Sequence, residues 1–203
     1  MSRSAHCTGA ILAGGRATRF RGVAKGLESV GGVRMIDCVA AVLRDSCDDL
    51  VIVANDAAAA GWIPGTRTIA DVRTGAGPLG GIHAALTSAH DAVLALSWDS
   101  PFVPAPLMRA LRDAGEHANA DAAVPSSHSL WGFEPLCAWY RTSCLPAIEH
   151  RIDAGELRAA GWQGDVNTVH VDASPWGDPD EIFFSVNSAA DLAMANIRIA
   201  RAP

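Results

Sequence analysis

Lys25 is the only lysine in a chain of 203 residues. It closes a stretch in which the apolar run 10–13 leads into Gly14 and Gly15, and Arg16, Arg19 and Arg21 follow before the first acid, Glu28. A short apolar strand that opens into a glycine-bearing, cationic loop suits a polyphosphate. Glycines let backbone N–H groups approach the oxygens, and the cations neutralise the charge they surround. Asp99 is the sharpest acid. It follows the apolar run 92–96 and precedes Ser100-Pro101, which leaves its carboxylate at the end of a strand. One carboxylate plus phosphate oxygens is how Mg²⁺ is usually held; the plainer alternative is an aspartate capping the next helix. Asn55 and Asp71 close two further apolar runs, where each either meets a ligand or serves a cap or turn. Asn187, within FFSVNSAADL, is either a second ligand at the same rim or part of a helix cap.

The elements that would position these side chains follow from periodicity. Continuous apolar runs at 10–13, 50–54 and 92–96, with a shorter one at 67–70, read as strands buried on both faces. Between them Met35, Ile36, Val39, Val42 and Leu43 recur at helical spacing, as do Ile82, Ala85, Leu86 and Ala89; Pro104 or Pro106 opens a further helix through Leu107 and Leu111. Strand–helix alternation predicts parallel βαβ units and a three-layer α/β sandwich, Rossmann-like, with a mostly parallel sheet and helices on both faces. Ligands of such sheets bind beyond the carboxyl ends of the strands, where Gly14, Asn55, Asp71 and Asp99 would meet. The second half reads as strands at 122–125, 135–140, 168–171 and 183–186, with helices at 142–154 and 188–198. No linker or repeat divides the chain, so one domain over 1–203 is expected, with regular strand–helix alternation over about the first 115 residues.

Composition narrows the classes. Half the residues are apolar and the net charge is −6. Residues 1–27 carry five basic groups and no acid, while the rest carries 11 basic and 22 acidic, so +5 and −11 give the total. Positive charge gathered at one loop suits a small anionic ligand and argues against a broad nucleic-acid face. No apolar run reaches the ~18 residues of a membrane span, and the N-terminus lacks a signal-peptide layout, so a cytoplasmic protein without membrane contact is expected. The five cysteines form no CxxC pair and no metal spacing, and read as reduced core residues. GAGPLG at 75–80 matches the dinucleotide pattern G-x-G-x-x-G, but it follows the third strand and carries an interior proline; a turn against a base or a plain tight turn fits better.

LAGGRATRFRG, the lysine in KGL, GPLGGI, WDSPFVP, EPLCAWY and FFSVNSAADLA together resemble the molybdenum cofactor guanylyltransferase branch of the nucleotidyltransferase superfamily. The likeness covers nearly the whole chain, and the double glycine with GPLGG is similar to the guanylyl rather than the cytidylyl branch. The resemblance implies a nucleotide-binding half to about residue 115, in which Leu12, Ala13 and Gly14 contact GTP through backbone groups and Lys25 meets its phosphates, and an acceptor-binding half from about 116; in an in-line transfer Arg19 would support the pyrophosphate. It further implies Asn55 and Asp71 at the nucleoside, Asp99 on nucleotide and Mg²⁺, and Asn187 as a further metal or substrate contact. The implied acceptor is the terminal phosphate of molybdopterin, with molybdoenzyme clients or their chaperones as later partners. Two departures stand out: Ala24 where the family usually has an acid, and Trp98 where it commonly has a small residue or cysteine. The alternatives are a nucleotidyltransferase using CTP or a sugar phosphate, or a non-catalytic GTP-binding paralogue.

Overall fold

The computed structural model describes residues 5–14, 19–20 and 23–201. Its main sheet is built from β1 (Cys7–Leu12), β2 (Asp49–Val53), β3 (Arg67–Ile69), β4 (Ala92–Ser97), β5 (Ala122–Pro125), β6 (Cys137–Arg141) and β7 (Thr168–Val171). The order across the sheet is β3-β2-β1-β4-β6-β5-β7. β1 pairs in parallel with β2 and β4, and β2 with β3; only β6 runs antiparallel, between β4 and β5. The parallel strands therefore end on one rim, as strand–helix alternation predicts.

Alternation along β1 explains the layering. Cys7, Ile11 and Ala13 face one side with Ile36, Val39 and Leu43 of α1 (Met35–Arg44) and Leu107, Met108 and Leu111 of α3 (Ala105–His117). Ala10 and Leu12 face the other with Leu79, Ile82 and Leu86 of α2 (Gly77–Ser88) and Ile148 of α4 (Leu145–Asp153). Both sides of the sheet are dry, which is why its central strands are apolar throughout. The cysteines among these residues are free thiols, and burial pushes the Cys144 thiol up to about 12, away from any reactive range.

Helix α3 sits close on the sheet at Gly115. A Cβ placed there would lie 2.3 Å from Cε3 and 2.4 Å from Cζ3 of Trp139, a fully buried ring on β6. Gly115→Ala is expected to destabilise the fold by about 1–3 kcal/mol, because overpacking outweighs the better helix propensity of alanine. Urea unfolding measures this; a midpoint at or above that of wild type would show that the helix can simply shift outward.

Three differences from the sequence expectation have a clear cause. β1 begins at Cys7, because Thr8 and Gly9 are as buried as the apolar run that follows. The expected helix at 142–154 starts as a separate 3₁₀ turn, Thr142–Cys144, before α4. The expected strand at 183–186 does not form. Asp178 caps a short helix, α5 (Pro179–Ile182), by accepting from Asp180 N at 3.0 Å, and Phe184 turns aside to lie under Arg198, whose Cζ is 4.2 Å from the ring centroid. Beyond it, Val186 N donates to the Asp99 carbonyl at 2.9 Å. The last helix, α6 (Ala189–Arg201), packs on the hairpin of Ser29–Val30 with Val33–Arg34, where Asn196 Oδ1 accepts from Gly31 N at 2.9 Å. The end of the chain is thereby brought back to the segment that follows Lys25.

Candidate active site

Three distant parts of the chain supply the centre of the site. Lys25 starts a 3₁₀ turn, Lys25–Leu27, and is 8 % exposed at its side chain. Its ammonium donates to Asp99 Oδ2, directly beyond β4, and to Asn187 Oδ1 at 2.7 Å, just before α6. Ser97 Oγ donates to the other carboxylate oxygen, Oδ1, at 2.7 Å and fixes the plane of the acid. Asn187 is held in turn: its N–H donates to Asp191 Oδ2 at 3.0 Å, while Ser188 and Asp191 form a reciprocal cap on α6 at 2.8 and 3.2 Å. The Ser188 hydroxyl, with the Asn187 N–H, holds the Asp191 carboxyl below the usual carboxylate range.

This cluster stands at the edge of a cleft of about 440 Å³, lined among others by Gly14, Asn55, Asp71, Gly75 and Gly77. All four rim residues expected from the sequence are therefore at one cavity. Asn55 and Asp71 lock together, Asn55 Nδ2 donating to Asp71 Oδ2 at 2.7 Å and Asp71 N donating to Asn55 Oδ1 at 2.8 Å. Ala13 N donates to Val53 O at 2.9 Å and Leu12 O accepts from Trp98 N at 3.2 Å, so those groups pin the turn after β1 to its neighbours. Gly14 is exposed on the cleft, where a ligand can approach the backbone. The first turn of α2 also lines the cleft, presenting the positive end of a three-turn helix to an anion. GAGPLG thus builds a helix entry, with Gly75 and Gly77 at φ +82° and +59°.

Gly15, Arg16 and Arg21 lie outside the described residues, and so does the side chain of Arg19, whose backbone pairs with Ala24 in a two-residue ribbon. Among the described residues no three of His, Cys, Asp and Glu cluster to hold a metal ion, and no helix is long and apolar enough to cross a membrane. A Mg²⁺ site that borrows phosphate oxygens needs less. Asp99 Oδ2 and Asn187 Oδ1 already converge on one positive charge, the Lys25 ammonium, so a hard oxygen pair suited to a cation is in place.

Sequence reasoning did not reach a second cavity, of about 350 Å³, on the far side of the same cluster. It shares Pro78, Ser97, Asp99, Leu136 and Asn187 with the first, and adds Trp131, Glu134 and Arg158 from the second half. Arg158 lies over the Trp131 ring at 5.8 Å, and Trp131 is 43 % exposed beside a still more exposed Leu130. A tryptophan in the turn-rich SHSLWGFEP was the available signal, since packing gives little reason to place one there.

The chain matches known proteins over most of its length. Residues 9–166 match the MobA-like NTP transferase domain. The chain is 34% identical over 197 residues to the molybdenum cofactor guanylyltransferase of Desulfosudis oleivorans, covering 95% of each chain. It is 32% identical over 201 residues to that of Burkholderia lata, covering 95% of this chain and 96% of the relative. Among solved structures, molybdopterin-guanine dinucleotide biosynthesis protein A from Archaeoglobus fulgidus superposes with a TM-score of 0.79 at 26% identity, over 96% of this chain and 100% of that one.

Proposed function

The chain belongs to the MobA-like NTP transferase domain family, and we propose that it transfers the guanylyl group of GTP to the terminal phosphate of molybdopterin with Mg²⁺, forming molybdopterin guanine dinucleotide and pyrophosphate. The observation that carries this reading is the convergence of Lys25, Asp99 and Asn187 on the wall between two adjoining cavities. Reaction at that wall needs one substrate on each side. The cleft with Asn55, Asp71 and the start of α2 takes the nucleotide, and the cavity with Trp131 and Arg158 takes the acceptor. The nucleotide half, to about residue 115, and the acceptor half, from about 116, then meet at Asp99 and Asn187.

The chemistry is in-line displacement. An oxygen of the acceptor phosphate attacks the α-phosphorus of GTP, a new P–O bond forms, and the bond to the bridging oxygen breaks as pyrophosphate leaves with the electron pair. No covalent enzyme intermediate is required, so the protein contributes alignment and charge stabilisation. Mg²⁺ bound at Asp99 and Asn187 would neutralise phosphate charge. Ser97 keeps the Asp99 carboxylate turned toward that position. The Lys25 ammonium keeps one donor on Asp99 and turns its others to the oxygens of the transferred phosphoryl, and Arg19 supports the departing pyrophosphate. Gly14 and the first turn of α2 receive phosphate oxygens on backbone N–H groups. A cytoplasmic location fits these substrates and this product, and molybdoenzyme clients or their chaperones would take the dinucleotide from there.

Nucleotide choice is read by thermal unfolding with GTP, CTP or UTP and Mg²⁺. GTP is expected to raise the transition most, by the mass action of a ligand that binds only the folded state. Pyrophosphate should then appear only when molybdopterin is added. Stronger stabilisation by CTP would move the protein to the cytidylyl branch, and GTP binding without pyrophosphate release would mark a non-catalytic paralogue.

A further inference from the structure

Lys25 and Asp99 are 74 positions apart, yet each is covalently next to one member of a second contact. Gly26 follows Lys25, Trp98 precedes Asp99, and the two are pressed together. A Cβ on Gly26 would lie 2.3 Å from Cε3, 2.7 Å from Cδ2 and 3.1 Å from Cγ of Trp98, so the backbone beside Lys25 already rests on the indole face. The indole cannot withdraw. It is 2 % exposed, its N–H on the main chain donates to Leu12 O at 3.2 Å, and Trp62 stacks with it at 5.1 Å between centroids and 27° between planes. Trp62 is itself buried, in the turn after the 3₁₀ segment Ala57–Gly61.

We propose that the Gly26–Trp98 face contact, backed by Trp62, sets the position of the Lys25 ammonium against Asp99, making Trp98 a positioning residue for the transfer; this rests on the role given to Lys25 above. A lysine side chain has four rotatable bonds and does not place its own charge. Here the backbone at its root is held on a plate that continues directly into the carboxylate it must meet. A methyl group at 26 must lift the Lys25 backbone off the ring or push Trp98 aside, and the latter carries Asp99 with it. Either movement opens the ammonium–carboxylate contact. An error of about 1 Å in a reacting group costs up to roughly a hundredfold in rate. The bulk at 98 and the bare backbone at 26 are thus a matched pair, and trimming the ring should make room for the methyl.

Because Lys25 is the sole lysine, its acylation by acetic anhydride can be followed by mass spectrometry apart from the N-terminal amine. We expect Gly26→Ala to speed that acylation about fivefold or more, and to lower kcat about tenfold with the KM for GTP changed less than about twofold. In the double variant Gly26→Ala/Trp98→Ala, the methyl should add less than about twofold to the acylation rate of Trp98→Ala alone. Equal acylation in wild type and a folded Gly26→Ala overturns the proposal, and so does a methyl effect that is undiminished when the ring is gone. Should Gly26→Ala not fold, Trp98→Phe carries the test: faster acylation supports the lock and an unchanged rate refutes it. Acylation is read on the protein without substrates. A wild type that releases no pyrophosphate would therefore count against the proposed reaction while leaving the lock to stand or fall on its own readout.

Discussion

Lys25→Ala is expected to slow pyrophosphate release about a hundredfold, equivalent to ~3 kcal/mol of lost transition-state stabilisation. The ammonium is the one basic group whose side chain is described at the junction of the two cavities, and it is nearly buried, so water cannot replace it cheaply. The loss should fall mainly on kcat, because negative charge on the transferred phosphoryl grows only as the reaction proceeds. Lys25→Arg should not restore it. The planar fork is larger than the ammonium, and the space is bounded by Asp99, Asn187 and the plate under Gly26. A Lys25→Ala rate within twofold of wild type would remove Lys25 from the reaction.

The second large effect is expected at Asp99. Asp99→Asn keeps the shape and the Ser97 contact but removes the charge that faces Lys25 and the cation position. Loss of activity should be about a thousandfold, or ~4 kcal/mol, since both alignment of Mg²⁺ and the setting of Lys25 fail together. Activity measured against Mg²⁺ concentration distinguishes this from damage to the fold. The variant should need more Mg²⁺ for half-maximal rate, whereas an unchanged Mg²⁺ dependence with a rate within tenfold of wild type would place the metal elsewhere. The fold should also lose stability, because an almost buried ammonium is left with Asn187 as its hydrogen-bond partner and only the more distant charge of Asp191 to balance it.

Much of the fold was legible because the parallel strands are covered on both faces. An all-apolar run such as 92–96 has few other homes, and the polar residue that follows it marks the rim. Lys25 and Asp99 stood out by residue type, as a sole lysine in a glycine-arginine loop and an aspartate at a strand end, but only the family resemblance put both on one ligand; the fold brings their side chains together. The second cavity was not legible. Its walls come from loops such as Ser129–Phe133 and from Arg158, where no periodicity applies and only tertiary contact gives the residues a common purpose. The segment 183–186 misled for a related reason. Its alternating apolar residues mimic a strand, but Phe184 and Val186 pack beneath α6 and have no ladder to join. Gly26 could not be interpreted from sequence either, since its lack of a side chain matters only because a ring encoded 72 positions later rests on it.

The wall common to the two cavities also bears on how the cycle ends. On the proposed reaction a finished dinucleotide would span both chambers across Asp99 and Asn187, and neither half could be exchanged for fresh substrate while the other is still seated. Departure of the product would then be a concerted exit of both ends together, one of them leaving past the half-exposed Trp131.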